Sequence, residues 1–249
     1  MNQANKQAIR VALVTGASRR IGAAIAKQLH QAGFKVLIHC HHSSPEAKNL
    51  AELLNQQRPD SAVVLQQDLC AHEAAQRLIV ETIAWAGQLD LLVNNASIFT
   101  RTPLTHFEEN DWDALFTTNV KAPFLLSLAA QPYLAKQQGA IINLTDIHAE
   151  RPLKDYTVYC QTKAALVMQT KALAREFAPQ VRVNAIAPGA IAWPEQANAL
   201  SLELQNEIIA KTPLKRHGDP AFIAQAVLAL VENPFITGQI LNVDGGRRI

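Results

Sequence analysis

Seven short apolar runs, at residues 11–14, 36–39, 62–65, 89–93, 140–144, 181–186 and 240–243, are separated by stretches with helical periodicity. Each run is almost continuously apolar instead of alternating, as a strand buried on both faces must be. The helical patterns between them fall at 22–31, 45–55, 71–85, 107–135, 156–177 and 220–231. Strand and helix in regular alternation predict an α/β fold with a doubly wound parallel sheet of about seven strands and helices on both faces. No linker, repeat or low-complexity segment divides the 249 residues, so the reading is one domain over 1–249. The only long stretch without a clear pattern is 190–218, and such a stretch in a compact domain is often a substrate lid.

The first strand runs into Thr15-Gly16-Ala17-Ser18-Arg19-Arg20-Ile21-Gly22, and an apolar helical pattern follows. Strand, glycine turn and helix is the context of a Rossmann-like dinucleotide phosphate site. Gly16 permits the tight turn and Gly22 permits close packing of the helix on the strand. The helix N-terminus then offers unpaired N–H groups to phosphate oxygens. Arg20 stands where a third glycine is expected.

Composition narrows the function classes. A net charge of +2 with scattered cations gives no nucleic-acid footprint. No apolar run approaches the roughly 18 residues of a membrane span. Met1 to Gln7 is polar and lacks the apolar core of a signal peptide. Cys40, Cys70 and Cys160 have neither metal-type nor disulfide-type spacing. The expectation is a cytoplasmic protein with three reduced thiols.

The second strand bears on the cofactor. NAD sites carry an acid near the end of that strand to hold the ribose 2′-OH. Here the strand runs into His39-Cys40-His41-His42-Ser43-Ser44, and the first acid is Glu46. With Arg19 in the glycine loop, cations and donors replace the carboxylate, which is the pattern for a 2′-phosphate and so for NADPH. A metal reading of His39, His41 and His42 lacks a second ligand cluster.

Further on, Tyr159 and Lys163 lie four apart in a helical pattern, which places them on one face, one turn apart. A neighbouring ammonium favours the phenolate and makes the tyrosine a better proton shuttle.

With these residues in place the chain resembles the short-chain dehydrogenase/reductases over essentially its whole length. The matching motifs are the glycine loop, Asp68-Leu69, Asn94-Asn95-Ala96, Asn119, Tyr159 with Lys163, Pro188-Gly189, and Gly238 with Asp244-Gly245-Gly246. The resemblance implies that Asp68 and Leu69 border the adenine. It places Gly16, Arg19, Arg20, Ile21, Gly22, Asn95, Ala96, Ser97, Thr145, Pro188 and Gly189 along the cofactor. Asn119 organises a proton-relay water, and Lys163 holds the nicotinamide ribose and assists Tyr159. A hydroxyl residue two positions after Pro-Gly is common in relatives, whereas this chain has Ile191.

Two departures are more telling than the matches. Arg20 replaces glycine, and Asp146, thirteen residues before Tyr159, replaces the serine that helps hold a substrate carbonyl. An ionised aspartate has no proton to give a carbonyl oxygen, and its charge raises the pKa of the tyrosine. Substrate nitrogens that need protons, or that present N–H donors, suit it better. Both departures occur together in the pteridine reductases, which the chain is similar to in its bacterial-type form. That resemblance implies NADPH-dependent reduction of a dihydropterin or dihydrofolate to the tetrahydro form, in a homotetramer. Phe99 would stack on the pterin, and Ser97 would hydrogen-bond the pterin or a phosphate. Arg20 would bridge cofactor phosphates and the polar edge of the pterin. Asp146 and Tyr159 would relay protons, His41, His42 and Ser43 would face the 2′-phosphate, and Trp193 would line the lid. Two alternatives stay open: a carbonyl reductase such as a 3-oxoacyl reductase, and a non-catalytic NADPH-binding regulator.

Overall fold

The computed structural model describes residues 9–193 and 199–249. Residues 1–8 and 194–198, the latter within the stretch expected as a lid, lie outside the described residues. Seven parallel strands form one sheet in the order β3-β2-β1-β4-β5-β6-β7. They are β1 (Val11–Val14), β2 (Lys35–Cys40), β3 (Ala62–Gln66), β4 (Leu91–Asn94), β5 (Ala140–Leu144), β6 (Arg182–Pro188) and β7 (Ile240–Val243). The helices are α1 (Arg20–Gln31), α2 (Ser44–Gln57), α3 (Ala74–Ala86), α4 (Glu109–Phe116), α5 (Ala122–Lys136), α6 (Thr157–Glu176), α7 (Leu202–Lys211) and α8 (Pro220–Glu232).

Period-2 alternation along the strands sorts the core into two layers. Ala12 and Val14 of β1 join Val36, Ile38, Val93 and Ile142 under Ile25, Leu29, Leu54 and Val227, which come from α1, α2 and α8. Val11 and Leu13 face the other way and join Leu37, Leu92 and Ile141 under Leu78, Leu126, Leu134 and Leu173 from α3, α5 and α6. The central strands are therefore largely apolar because both of their faces are covered. Strand order reverses between β1 and β4, so the crevice at their carboxyl ends is the topological switch point where ligands bind.

The helical pattern expected over 107–135 is not one α-helix. A 3₁₀ turn at Leu104–His106 precedes α4, and a π turn, Thr117–Lys121, separates α4 from α5. Pro123 explains the break: it has no N–H for the carbonyl of Asn119, and the Ala122 N–H bonds Thr117 O instead, five residues back. Helix α2 is entered one residue earlier than its Ser44-Pro45 signal suggests, with Ser43 in the cap position. Helix α7 lies inside the stretch to which the sequence assigned no element. Its cap is Ser201, whose side chain accepts the Leu204 N–H.

Candidate active site

Thr15, at the end of β1, holds the switch point together. Its hydroxyl donates to Val93 O and accepts the N–H groups of Asn95 and Ala96 at 2.9 and 3.0 Å. The Asn95 amide donates to the carbonyls of Thr15 and Gly16. Gly16 has φ +60°, and a Cβ there would meet Ala96 Cα at 3.0 Å. At Gly22 a Cβ would stand 2.3 Å from Gly16 O and 2.6 Å from Asn95 Nδ2. The loop is thus cradled by α1 on one side and by the end of β4 on the other.

This cradle fits a dinucleotide phosphate. The first turn of α1 carries no acidic residue and its cap position, Arg19, makes no side-chain cap bond, so the N–H groups there are not competed for by a carboxylate. His41 and His42 follow β2 with their rings stacked at 3.5 Å, and Ser43 stands beside them at the entry of α2. After β3, where the adenine is expected, the Asp68 carboxylate accepts the Cys70 N–H, and Leu69 packs against the α3/α5 layer.

His39 is the supporting residue that sequence reasoning missed. Its buried ring sits behind the loop: Nδ1 accepts the Gly16 N–H at 3.2 Å and Nε2 donates to Gln67 O at 2.9 Å. Both ring nitrogens are engaged, which fixes the Nε2–H tautomer and leaves none for a metal. Burial, with the nearby His41 adding, pushes its pKa down to about 4. The signal was present in the sequence as a polar residue inside an apolar run.

Its titration has a testable consequence. Because the folded pKa lies below the ordinary 6.5, the unfolded chain takes up this proton first as pH falls. The stability contributed by neutral His39 is complete above pH 6.5 and is lost toward pH 4, by up to about 3 kcal/mol. Denaturant unfolding of the wild type and His39→Gln across this range is expected to show a steeper loss in the wild type. Equal slopes would refute the assignment.

The candidate catalytic residues lie at the carboxyl ends of β4 and β5. Asp146, in extended backbone after β5, caps a 3₁₀ turn through Oδ1, which accepts the His148 N–H at 2.9 Å. Its Oδ2 accepts the Tyr159 hydroxyl at 2.7 Å. Lys163 is buried one helical turn on, where its ammonium donates to Leu144 O at 3.0 Å and lies 5.6 Å from the Tyr159 ring centroid. Burial pushes the Lys163 pKa down to about 8. Tyr159 is pushed well above the ordinary 10, by burial first and then by the charge and hydrogen bond of Asp146. The expected help of Lys163 toward a phenolate is therefore outweighed, and Tyr159 keeps its proton.

Asn119, presented by the π turn, clamps Ile98 from both sides. Its Oδ1 accepts the Ile98 N–H and its Nδ2 donates to Ile98 O, with a further bond to Thr162 of α6. The Ser97 hydroxyl donates to the same Asn119 oxygen at 3.1 Å. Phe99 stacks on Tyr156 at 4.3 Å and meets Tyr159 edge-on at 4.7 Å. Thr145 is turned into the sheet, its hydroxyl donating to Ile186 O. Pro188 ends β6, and Gly189 passes so close to Asp244 that a Cβ would meet its Cα at 2.7 Å.

Arg20 does more than replace a glycine. It adopts φ +54°, a left-handed conformation costing a non-glycine residue roughly 1–2 kcal/mol. From there its guanidinium donates to the carbonyls of Ala192 and Trp193, both at 2.9 Å, and so ties the glycine loop to the segment that follows β6. The Trp193 ring lies 4.4 Å from that of His217. The basic C-terminal tail is fastened to its own chain: Arg151 donates to Arg247 O, Arg248 pairs with Glu150, and the Asp244 carboxylate accepts the Gly246 and Arg248 N–H groups.

The candidate site is thus a glycine-loop cradle at the switch point, next to an Asp146–Tyr159–Lys163 group at the ends of β4 and β5. A family model described as enoyl-(acyl carrier protein) reductase matches residues 16–248. The 3-oxoacyl-[acyl-carrier-protein] reductase of Staphylococcus epidermidis is 36% identical over 239 residues, covering 94% of this chain and 97% of its own. The enzyme of the same name from Staphylococcus aureus is also 36% identical, over 94% and 96%. Pteridine reductase 1 of Leishmania tarentolae is 33% identical over 278 residues, 95% of each chain. Fold, cradle and relatives agree: the chain belongs to the short-chain dehydrogenase/reductase family of NAD(P)-dependent oxidoreductases.

Proposed function

We propose that the chain reduces a dihydropteridine, dihydrofolate included, to the tetrahydro form with NADPH. The observation that carries this reading is the 2.7 Å hydrogen bond from the Tyr159 hydroxyl to Asp146 Oδ2. A ketone oxygen needs donors, and here the tyrosine proton is already engaged by a carboxylate with none of its own to give. A pterin ring carries N–H and amino donors that a carboxylate accepts, together with a C=N nitrogen that needs a proton. The flat ring also suits an aromatic wall, which Phe99 supplies beside Tyr159.

When bound, NADPH supplies a hydride to the carbon of the C=N bond. Asp146 and Tyr159 relay the proton that the ring nitrogen takes up. Asp146 orients the Tyr159 hydroxyl and accepts the donors of the substrate. The Lys163 ammonium offsets the negative charge left on Tyr159, and Asn119 holds Ile98 and Ser97 beside the ring. Arg20 keeps the lid base over the phosphate loop through Ala192 and Trp193. His41, His42, Ser43 and Arg19 receive the 2′-phosphate, since β2 ends in Cys40 without a carboxylate.

Carbonyl reduction, as of a 3-oxoacyl group, is the second reading. The names of the 36%-identical relatives favour it. NADPH oxidation against dihydrobiopterin, dihydromonapterin, dihydrofolate and a 3-oxoacyl thioester, repeated with NADH, decides between them. The expected result is turnover of at least one dihydropteridine, faster with NADPH. Turnover of the thioester alone would install the second reading, and equal kcat/KM with NADH would overturn the cofactor assignment.

Phe124, Leu125 and Leu128 on α5 and Met168 on α6 are exposed apolar side chains on the two long helices. We assign these faces to contacts between copies in a homotetramer. Light scattering at micromolar concentration is expected to give four times the 27.3 kDa chain mass, and a monomeric mass would contradict it.

A further inference from the structure

After β4 the chain runs as a strap, Ile98 to Thr102, that carries Phe99 toward the turn before α6. Asn119 holds the near end of the strap through Ile98. The far end is fastened to that turn by three contacts of different kinds. The buried Thr102 N–H donates to Asp155 O at 2.7 Å. The Arg101 guanidinium pairs with the Asp155 carboxylate at 2.6 Å. The Phe99 ring stacks on Tyr156, with centroids 4.3 Å apart and planes 13° from parallel. Tyr156 therefore backs Phe99, and the set of the Phe99 ring follows the position of the turn.

The turn is built around Asp155. The Tyr156 N–H donates to Leu153 O at 3.2 Å, which closes a β-turn over residues 153–156. Asp155 holds its third position with φ +66°, while Lys154 stays at negative φ. Glycine or asparagine is the usual occupant of such a position. What an aspartate adds over asparagine is a negative charge, and here that charge meets Arg101. The Leu153 N–H donates to Cys160 Sγ at 3.4 Å, so the turn is also tied to α6 beside Tyr159. One corner of the fold thus carries both the ring behind Phe99 and the Tyr159 hydroxyl. The Phe99 ring meets that of Tyr159 edge-on at 4.7 Å.

We propose that Arg101 and Asp155 are positioning residues for the substrate: their pair docks the strap on the turn before α6 and so sets Phe99 as the wall on which a flat substrate ring stacks, an assignment that rests on the pteridine reading for the identity of that ring. Neither residue touches the substrate, and both act through Phe99. The Arg101 side chain is 54% exposed and that of Asp155 29%, so the pair adds little to global stability. Its effect is local, in the fraction of time that the far end of the strap is docked.

The test uses the full-length protein with Asp155→Asn, Arg101→Gln or Arg101→Lys. The first keeps a residue suited to the turn and removes only the charge, the second removes the cation, and the third keeps it. Hydrogen exchange of the Thr102 amide, followed by mass spectrometry in the free enzyme, reads the docking. It is expected to quicken about fivefold in Asp155→Asn and Arg101→Gln, the upper end of what an exposed pair supplies, and to stay near wild type in Arg101→Lys. KM for the dihydropteridine is expected to rise by about the same factor in the first two variants and to recover in the third. Turnover number, NADPH affinity and melting temperature are expected to hold, as loss of uniform substrate binding requires. Unchanged exchange would overturn the clamp. Quickened exchange with unchanged KM, or with an equal loss of NADPH affinity, would overturn its role toward the substrate. If the wild type reduces only the 3-oxoacyl thioester, the pteridine reading fails by itself, and KM is then measured on the thioester. A rise in the same two variants keeps the positioning role, and its absence overturns it.

Discussion

Replacing Asp146 by serine is expected to lower kcat/KM for the dihydropteridine by roughly 10²–10⁴-fold, the range for a lost acid–base group. The substitution removes the acceptor that holds the Tyr159 hydroxyl at 2.7 Å and the charge that helps keep that hydroxyl protonated. It also restores the arrangement that the family uses for carbonyls, so 3-oxoacyl turnover is expected to hold or rise. The fold is not at risk, because a serine oxygen can still accept the His148 N–H that Asp146 Oδ1 now takes. NADPH affinity is the control and is expected to stay unchanged, since the carboxylate stands at the reacting end and not in the phosphate cradle. Intact pterin reduction in Asp146→Ser would remove the main physical support of the pteridine reading.

Gly22→Ala is expected to cost the protein its cofactor. The new Cβ falls 2.3 Å from the Gly16 carbonyl and 2.6 Å from the Asn95 amide, and neither neighbour is free to retreat. Gly16 is backbone in a positive-φ turn, and the Asn95 amide is spent on the Thr15 and Gly16 carbonyls. Helix α1 must therefore shift off the loop, which carries the N–H groups of the helix away from the phosphates. Overpacking of this kind destabilises by about 1–3 kcal/mol. The loss of NADPH affinity is expected to be larger, on the order of a hundredfold, since the misplaced charge-assisted bonds are worth about 1.5–3 kcal/mol each. Fluorescence titration with NADPH and a thermal melt check both parts. Unchanged affinity would mean that the cradle does not receive the phosphates.

Much of the architecture is written locally. The central strands announce themselves because they are covered on both faces, and all seven apolar runs coincide with the observed elements to within two residues at each end. Gly16 and Gly22 are legible for the same reason: a turn and a close approach are demands on single residues. Tyr159 and Lys163 are one turn apart on α6 and need only a helix to meet. Asp146 was legible as a departure from a pattern, and its meeting with Tyr159 follows from β5 and α6 converging at the same sheet edge.

What the sequence could not reach are contacts whose partners are far along the chain. The π turn that presents Asn119 was read as ordinary helix, although Pro123, four residues on, holds the reason in a missing N–H. His39 passes for strand filling until β3 brings Gln67 to its Nε2 and the turn brings Gly16 to its Nδ1. Arg20 reads as a cation for phosphates, while its partners Ala192 and Trp193 lie more than 170 positions away, beyond any periodicity.

By itself, then, the sequence determined the sheet, the glycine loop and the candidate side chains at the carboxyl edge, because these depend on backbone conformation, burial period and helix spacing. The tertiary structure alone decided the state of those side chains. Whether Tyr159 keeps its proton, whether Lys163 titrates near 8 and whether Arg101 meets Asp155 depend on burial and on through-space neighbours. Those quantities exist only once β4, β5 and α6 have been packed together.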